Sequence, residues 1–448
     1  MAPFRAHGSP ETEALAAAVP EELAAALRHS GSLRARVGVA RAHAALGPRR
    51  ALVVDGRVST PPSARDGEGA AARRRARAAR WSEDFDVPLD PSRGPEGALA
   101  WRLSEPLRVA AQSVAEGGDL PQAVLEKYFV ARRLVREGGL NDPDDAVTLL
   151  DEVLSVAPAF GPAHTARAMA AVRGWTMLRA APGPRDWYDE AQTSIARSVE
   201  LAPDAAETHF ARAHLASHLG RYRDAVAAIR EALARAPMMP EAHQVLGSLQ
   251  LEAGRSQLGL ERLDLALALD AHLPRALFEQ ARWRALYGDP DAAEATLARL
   301  ARMPATEHLV GHLRARAGVW RRDPELVRQG LRAFERAKLA VVPLMLVYAR
   351  AAAGATETEA AVAAFTDAMG SHASPKQRAQ LRQLCCEVLC ARGAWERAME
   401  HLREGAAGTL VDLEWVDWCP LLHGLRAHAD FARCRAQVAA RSAEIWQL

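Results

Sequence analysis

The sequence predicts a mainly α-helical protein in which an array of stacked helical hairpins follows a small α/β domain. Aromatic residues make up only 5% of the 448 residues, whereas Ala, Leu, Glu and Arg are abundant, and this composition favours helices over strands. Three glycines, Gly220, Gly254 and Gly288, are spaced by 34 residues. Self-similarity at a fixed period indicates a repeat architecture, in which each unit packs on its neighbours.

Each 34-residue unit is predicted to contain two amphipathic helices joined by a short turn. In the clearest unit, the first helix is EAHQVLGSLQLEA, the turn is GRS and the second helix is QLGLERLDLALAL. The glycine is expected to end the first helix, because it adopts the left-handed conformation at little steric cost. A proline, at Pro203 and Pro237, is expected to stop the second helix.

Three consecutive units, from about 206 to 305, resemble the tetratricopeptide repeat family. The resemblance rests on small residues at matching places in the helices and on the closing prolines: Ala213, Gly247, Ala281, Ala225, Gly259, Ala293, Ala232, Ala266, Pro203 and Pro237. It implies a right-handed α-solenoid whose first helices line a concave face that binds protein partners. Less regular helical pairs extend the array on both sides, so we predict an α-solenoid over 115–410.

The C-terminal residues 411–448 are predicted to form a capping segment and a last helix. Within them, 417–431 resembles the terminal segment of bacterial multidomain regulators, a Pro-Leu-Leu-x-x-Leu-Arg turn followed by a helix that a phenylalanine anchors. The apolar residues expected to cover the last hairpin are Leu421, Leu422, Leu425 and Phe431.

Residues 1–112 lack the period and are predicted to form a small α/β domain. PETEALAAAVPEELAAALRHS is helical in pattern, and SLRARVGV and ALVVDGRV are strand-like. The order resembles a domain that precedes tetratricopeptide arrays in bacterial adenylate cyclases, protein kinases and transcription regulators, akin to the amino-terminal domain of TolB. The resembling residues are Ala2–Phe4, Pro20–Leu23, Leu52–Val58 and Trp81–Phe85. That family has a first strand ending at the Pro-Phe pair, and Met1 leaves no room for it here.

The charge and the cysteine content indicate in which cellular compartment the protein functions. Lys and Arg number 57 against 55 Asp and Glu, a formal charge of +2, so there is no global attraction to nucleic acid or membrane. No window approaches the roughly 18 consecutive apolar residues of a membrane span, and the first residues lack a signal-peptide pattern. The five cysteines, an odd number, favour a reducing compartment. We therefore expect a cytoplasmic protein.

Three local clusters are better explained by solvation or packing than by chemistry. Arg73–Arg80 holds five arginines and is a weak candidate for phosphate contact, but no aromatic residues interleave to stack bases. His214 and His218 have the spacing of two metal ligands, but no third ligand is evident. Cys386 and Cys390 lack the distant second pair of a zinc site, so they are expected to be buried.

No catalytic constellation emerges from the sequence. It contains neither a phosphate-binding loop nor a nucleophile elbow, and paired carboxylates such as Asp144 and Asp145 fall at helix starts, where they complement the helix dipole. We therefore predict a non-enzymatic protein without a metal or cofactor. An enzyme of unknown type is the least favoured alternative.

The resemblance implies that positions 2, 5, 9 and 13 of each first helix face the concave side. In the three best units these are Glu207, Phe210, His214 and His218; Glu241, Gln244, Ser248 and Glu252; and Arg275, Phe278, Arg282 and Leu286. Two phenylalanine anchors among charged residues suit an extended or helical peptide, because apolar pockets supply affinity and charges fix the register.

The predicted function is therefore that of a scaffold. It would bind a peptide or partner protein in the concave groove, in bacterial signalling or transcription regulation. The main alternative is the sensory half of a transcription regulator, cyclase or kinase whose effector domain is missing or encoded separately.

Overall fold

The computed structural model describes residues 5–7, 57–59, 120–137, 143–176, 185–271, 273–303, 306–336, 343–370 and 373–447. Two short strands, β1 (Arg5–His7) and β2 (Arg57–Ser59), pair in parallel. β2 overlaps the end of the strand-like run ALVVDGRV. The other parts of the predicted α/β domain, including the Arg73–Arg80 cluster, lie outside the described residues.

The remaining described residues are almost entirely helical, which confirms the predicted mainly α class. The helices are α1 (Gln122–Glu137), α2 (Pro143–Val156), α3 (Gly161–Thr176), α4 (Trp187–Leu201), α5 (Ala206–His218), α6 (Tyr222–Arg235), α7 (Pro240–Glu252), α8 (Ser256–Leu269), α9 (Pro274–Leu286), α10 (Pro290–Leu300), α11 (Glu307–Arg321), α12 (Pro324–Arg336), α13 (Pro343–Ala352), α14 (Thr358–Ala368), α15 (Pro375–Ala391), α16 (Trp395–Ala407), α17 (Leu413–Trp418), the 3-10 helix Pro420–Ala427 and α18 (Phe431–Glu444). None of them is long and apolar enough to cross a lipid bilayer.

Consecutive helices pack in pairs from α1/α2 to α15/α16, and each pair packs on the next. The small residues predicted between the helices lie where two backbones approach closely. A Cβ atom on Gly259 of α8 would lie 2.8 Å from the backbone nitrogen of Leu251 on α7. A larger side chain there would force the two helices apart, so the glycine is required by packing.

The three periodic glycines end the first helices as predicted. Gly220, Gly254 and Gly288 have φ angles of 74°, 75° and 79°. In each turn the amide of the following residue donates to the carbonyl five residues earlier, at 2.8–3.0 Å. This arrangement satisfies a carbonyl that the end of the helix would leave unpaired.

The 34-residue period continues one step further than the glycines indicate. Arg322, which follows Gly288 by 34 residues, has a φ of 55°, and the amide of Asp323 donates to the carbonyl of Gly318 at 2.8 Å. The α11/α12 turn therefore repeats the geometry of the three earlier turns, with an arginine in the left-handed conformation that usually requires glycine.

A second repeated contact joins adjacent pairs of helices. His164, His209 and His243 each bond through Nε2 to the carbonyl of a proline six residues earlier, at 2.8–2.9 Å. Burial lowers the pKa of His209 and His243. The neutral imidazole can donate from Nε2, so these histidines fasten the loop between one pair and the next.

The array closes on itself. Helix α15, the first helix of the last pair, packs against α5, and α17 packs against α7 and α9. The 3-10 helix contacts α11, and the residues predicted to form a cap, Leu421, Leu422, Leu425 and Phe431, are buried in the largest hydrophobic cluster. Residues 373–447, hereafter the closing region, therefore cover first helices from the middle of the array as well as its end.

Candidate functional site

The candidate site is the inner face, the surface of the first helices α5, α7, α9 and α11 that is turned towards the closing region. Of the ten residues predicted to bind a partner there, three are buried: Phe210 is 4% exposed, Phe278 2% and Arg282 5%. The side chain of Arg275 is 47% exposed. The other six are half-buried: Glu207, His214, His218, Glu241, Gln244 and Ser248.

Residues 409–418, the closing segment, run along the turns of the repeats in sequence order. Tyr222, at the first turn, donates its hydroxyl to the carbonyl of Thr409 at 2.9 Å. Further along, the Glu414 carboxylate accepts hydrogen bonds from Ser256, at the second turn, and from Tyr287, at the third. The chain's own segment therefore lies across three successive repeats, on the face where the sequence analysis expected a partner peptide.

A buried ion pair anchors the closing segment to α9. Arg282 donates from Nη1 to Asp412 at 2.8 Å and from Nε to Glu279 at 2.9 Å, and Gln383 of α15 donates to the same Asp412 carboxylate at 3.1 Å. Although burial acts to raise it, the guanidinium groups of Arg275 and Arg282 lower the pKa of Glu279 to about 2. Arg282 is therefore committed to contacts within the chain.

A second buried network is centred on Glu387, which is 0% exposed. Its carboxylate accepts two hydrogen bonds from the Arg316 guanidinium, one from the Tyr348 hydroxyl at 2.7 Å and one from Trp415 Nε1 at 2.7 Å. The four side chains come from α15, α11, α13 and α17, so this single carboxylate ties the closing region to two first helices. All four hydrogen bonds go to one charged group, the arrangement that makes its burial tolerable.

The sequence analysis missed Glu387. It is the one acidic residue within the apolar run LCCEVLC of α15. A lone carboxylate in a stretch that the helical period buries indicates a buried ion pair or network, and this signal was available in the sequence. Its partners were not, because they lie up to 71 residues away.

The two histidines of α5 lie beneath the closing region. His214 packs edge-on against Phe210 with ring centroids 4.6 Å apart, and His218 Nδ1 lies 3.3 Å from the Ser374 hydroxyl. Burial, with a contribution from Lys376, lowers the pKa of His214 to about 4, and the same two causes, in the same order, lower that of His218 well below its usual value. Both imidazoles are therefore neutral near pH 7, and among the described residues no third ligand joins them in a metal-binding group.

All five cysteines are free thiols in the interior. Cys385 and Cys386 are 0% exposed and Cys390 4%, and burial raises the pKa of Cys385 to about 12. The prediction that these cysteines pack as small apolar residues is confirmed. Burial therefore keeps the Cys385 thiol protonated at neutral pH, and a protonated thiol is a poor nucleophile.

The positions of Phe210, Phe278 and Arg282 correct the expectation of an open groove. Phe278 lies under the Arg275 guanidinium, 4.9 Å from its ring centroid, and contacts the His312 ring at 5.2 Å. Both phenylalanines belong to the protein's own hydrophobic clusters. The physical reason is that the array closes on itself. The repeat pattern alone predicts a concave face, but it does not indicate that the closing region covers that face.

Where the closing segment ends, an aromatic surface stays exposed. The rings of Trp283 and Tyr287 stack at 4.2 Å between centroids, and those of Tyr287 and Trp418 at 4.7 Å. Tyr287 is 37% exposed and Trp418 51%. We call these three residues the aromatic ledge. The i, i+4 spacing of Trp283 and Tyr287 was visible in the sequence, but the contribution of Trp418 depends on the closure.

Carboxylates border the aromatic ledge. Burial and the hydrogen bond to Glu414 raise the pKa of Tyr287 to about 12, and the negative charge of Asp417 contributes. Asp417 itself forms a two-point ion pair with Arg435, at 2.6 and 2.7 Å. The ledge therefore presents exposed π faces beside carboxylates that are already engaged, Asp417 by Arg435 and the buried Glu414 by Ser256 and Tyr287.

Comparisons with known proteins give matches among solved structures. No family model matches the chain, and no curated protein does. Among solved structures, a crystal structure of the P58(IPK) TPR domain matches over 72% of this chain and 98% of its own, with 12% sequence identity and a TM-score of 0.22.

Proposed function

We propose that the protein is a non-catalytic scaffold that binds a partner protein through the aromatic ledge. The observation that carries the proposal is the exposure of two stacked aromatic rings, Tyr287 and Trp418, on a surface fixed by the protein's own closure. Tryptophan and tyrosine dominate the energetic centres of protein interfaces. Because the rings are already stacked, a partner would not have to immobilise them, which removes part of the entropic cost of binding.

The surroundings of the ledge favour a particular partner chemistry. Aromatic faces attract guanidinium and ammonium groups, and the Trp418 ring is 51% exposed. A partner segment that places an arginine or lysine over Trp418 would use this attraction. The partner envisaged is therefore a protein with an exposed basic residue.

The half-exposed residues of the predicted groove form a separate part of the proposal. Glu207, Glu241 and Arg275 lie in the first turns of α5, α7 and α9, whereas Tyr287 follows the last turn of α9. We keep these residues, with Gln244 and Ser248, as a proposed second contact surface. Its side chains are polar and partly engaged with neighbours, so each is expected to contribute less than the aromatic ledge.

The proposal also covers catalysis and the cellular setting. The absence of catalysis is supported by the central buried ionisable groups, Glu279, Arg282, Arg316, Glu387 and Asp412, which are satisfied by one another. A cytoplasmic role in bacterial signalling or transcription regulation is supported only by the resemblance of 1–112 and 417–431 to segments of such regulators.

The test is affinity purification from the source organism, followed by binding measurements with the purified partner. We expect Trp418→Ala to weaken binding by at least tenfold, roughly the loss of one energetic centre at an interface. Because half of the Trp418 side chain is exposed, the free energy of unfolding should change little. The melting temperature of each variant provides the check.

The matched control is the double variant Glu241→Ala with Gln244→Ala on α7. It removes two polar side chains from the second surface and should weaken binding less than Trp418→Ala. If the control abolishes binding and Trp418→Ala does not, the partner binds at the second contact surface. If neither variant weakens the binding of a partner, the aromatic ledge and the second contact surface have no role in recognition.

A further inference from the structure

A pocket with three arginines lies between the pairs α5/α6 and α7/α8. It measures about 380 Å³ and is lined by Arg230, Leu233 and Ala234 of α6, Leu246 and Gln250 of α7, Arg255 of the α7/α8 turn, Arg262 of α8 and Trp446. We call it the arginine pocket. Its volume falls within the range of pockets that hold small molecules.

No carboxylate lines the arginine pocket. Among the described residues, none of its three arginines forms an ion pair with Asp or Glu. The guanidinium of Arg255 lies over the Trp446 ring, 4.5 Å from the centroid, which fixes its position without neutralising it. Three positive charges therefore converge on one concave surface without a counter-charge.

The one polar partner of Arg262 does not supply that counter-charge. Arg262 Nη1 lies 3.1 Å from His243 Nδ1. Because guanidinium only donates, Nδ1 must be the acceptor, and His243 donates from Nε2 to the Pro237 carbonyl. His243 is therefore neutral in this arrangement. Burial, and then the charge of Arg230, lower the pKa of Arg262.

Two buried polar atoms at the pocket have no hydrogen-bond partner among the described residues. They are Nε of Arg262, a donor, and Oε1 of Gln250, an acceptor. Gln250 is only 7% exposed. Buried polar groups are normally satisfied by protein, water or ligand. Both side chains line the pocket, so its wall contains polar groups that the protein itself leaves unpaired.

The next repeat provides an internal comparison. The residues 34 positions after Arg230, Arg255 and Arg262 are Asp264, Asp289 and Thr296. There, Asp264 accepts a hydrogen bond from Gln280, and Arg284 donates to Thr296. The polar groups at that boundary satisfy one another, so the excess of positive charge at the arginine pocket does not follow from the repeat.

We infer that the arginine pocket binds a small phosphate monoester. The guanidinium fork matches phosphate oxygens in two-point geometry, and Leu233 and Leu246 offer an apolar wall for the organic part. This site involves other helices than the aromatic ledge, so it stands or falls independently of the proposed function.

The primary test measures thermal unfolding with inorganic phosphate against sodium chloride at equal ionic strength. We expect phosphate to raise the melting temperature more than chloride does, because it binds the folded protein. Calorimetry with glycerol 3-phosphate and adenosine 5′-monophosphate should then show saturable binding tighter than that of phosphate. Arg262→Gln should weaken this binding by at least about tenfold, through loss of a charge-assisted contact.

Two further variants test whether the effect of phosphate on the melting temperature comes from the arginine pocket. Arg230→Gln should raise the melting temperature without phosphate, because it relieves repulsion of Arg262, and should abolish the extra effect of phosphate. Arg223→Gln removes an exposed arginine from the same helix, outside the pocket, and should leave both properties unchanged.

The inference is overturned if phosphate acts no differently from chloride, or if Arg223→Gln and Arg230→Gln weaken its effect equally. Tighter Arg262-dependent binding of a phosphoserine peptide than of either ester would overturn the assignment of a small-molecule ligand.

Discussion

The regular repeats and the closing region are both helical, but different forces specify them. In the pairs from α5 to α10, each glycine turn, closing proline and small residue acts within a few residues of its own position. The closing region is joined to the inner face by side chains far apart in the chain. Arg282 and Asp412 are separated by 130 residues, and Arg316 and Glu387 by 71.

This difference shows what the charges of the inner face do. In an open solenoid, Arg282 and Arg316 would be solvated groups of a binding groove. Here they are 5% and 6% exposed. Each pairs with a carboxylate of the closing region, and Arg282 also pairs with Glu279 of its own helix. A buried ion pair contributes little net stability compared with apolar packing, but leaving one member unpaired is costly. We infer that the two networks select one closed arrangement over alternative packings.

The largest expected effect comes from removing a counter-charge. Glu387→Gln would leave Arg316 buried beside a neutral amide, and we expect the free energy of unfolding to fall by about 3–5 kcal/mol. Urea denaturation followed by circular dichroism measures this change. The matched control, Glu359→Gln, breaks an ion pair with Arg397 at the surface and should leave the midpoint almost unchanged.

A second variant separates charge from packing. The double substitution Glu387→Leu with Arg316→Met removes both charges and should be less destabilising than Glu387→Gln, because no buried charge remains unpaired. If Glu387→Gln behaves like the surface control, the closing region is held by apolar contacts alone. The distinction from the regular repeats would then disappear.

The same contrast explains how much of the molecule the sequence could predict. Helices, pairing and turns followed from Gly220, Gly254 and Gly288, because each acts locally. The half-buried state of Glu207 and Gln244 and the exposure of Arg275 are compatible with the predicted concave face, whereas the burial of Phe210 and Phe278 is not. Closure could not be predicted, since no local pattern links Asp412 to Arg282. The aromatic ledge could not be predicted either, because Trp418 joins it only through the closure.

Two further local features are visible in the sequence, but the sequence analysis did not interpret them. The 34-residue period reaches Arg322, although an arginine stands where the repeat pattern predicts a glycine. The recurrence of histidine six residues after Pro158, Pro203 and Pro237 is also a sequence pattern. Its meaning, a hydrogen bond to the proline carbonyl, depends on the geometry of the loop between the pairs.

A smaller effect is expected from pH, since closure buries histidines of the first helices. Burial is the first cause that lowers the pKa of His214, to about 4, and lowers that of His218 and His312 well below 6.5. Below pH 6.5 the unfolded chain therefore binds more protons than the folded protein. The free energy of unfolding should be constant above about pH 7 and fall with decreasing pH, by at least about 1 kcal/mol before pH 5.

Urea denaturation at several pH values measures this dependence. His214→Leu should make it shallower, whereas His423→Gln, which changes an exposed histidine of the closing region, should leave it unaltered. An unchanged slope in His214→Leu would indicate that the proton uptake occurs elsewhere, and that closure does not set the acid sensitivity.

The smallest expected effect tests the local side of the comparison. Arg322 has a left-handed backbone, its side chain is exposed, and it forms no ion pair among the described residues. Arg322→Gly should therefore raise the free energy of unfolding by about 0.5–1 kcal/mol, the steric relief less the greater entropy of glycine in the unfolded chain.

The converse variant is Gly288→Ala, because a Cβ there meets no atom within 4 Å and only the φ of 79° opposes it. This substitution should lower the free energy of unfolding by about 1 kcal/mol. Equal signs for the two substitutions would mean that these turns are not equivalent, and that the fourth period is a coincidence of spacing.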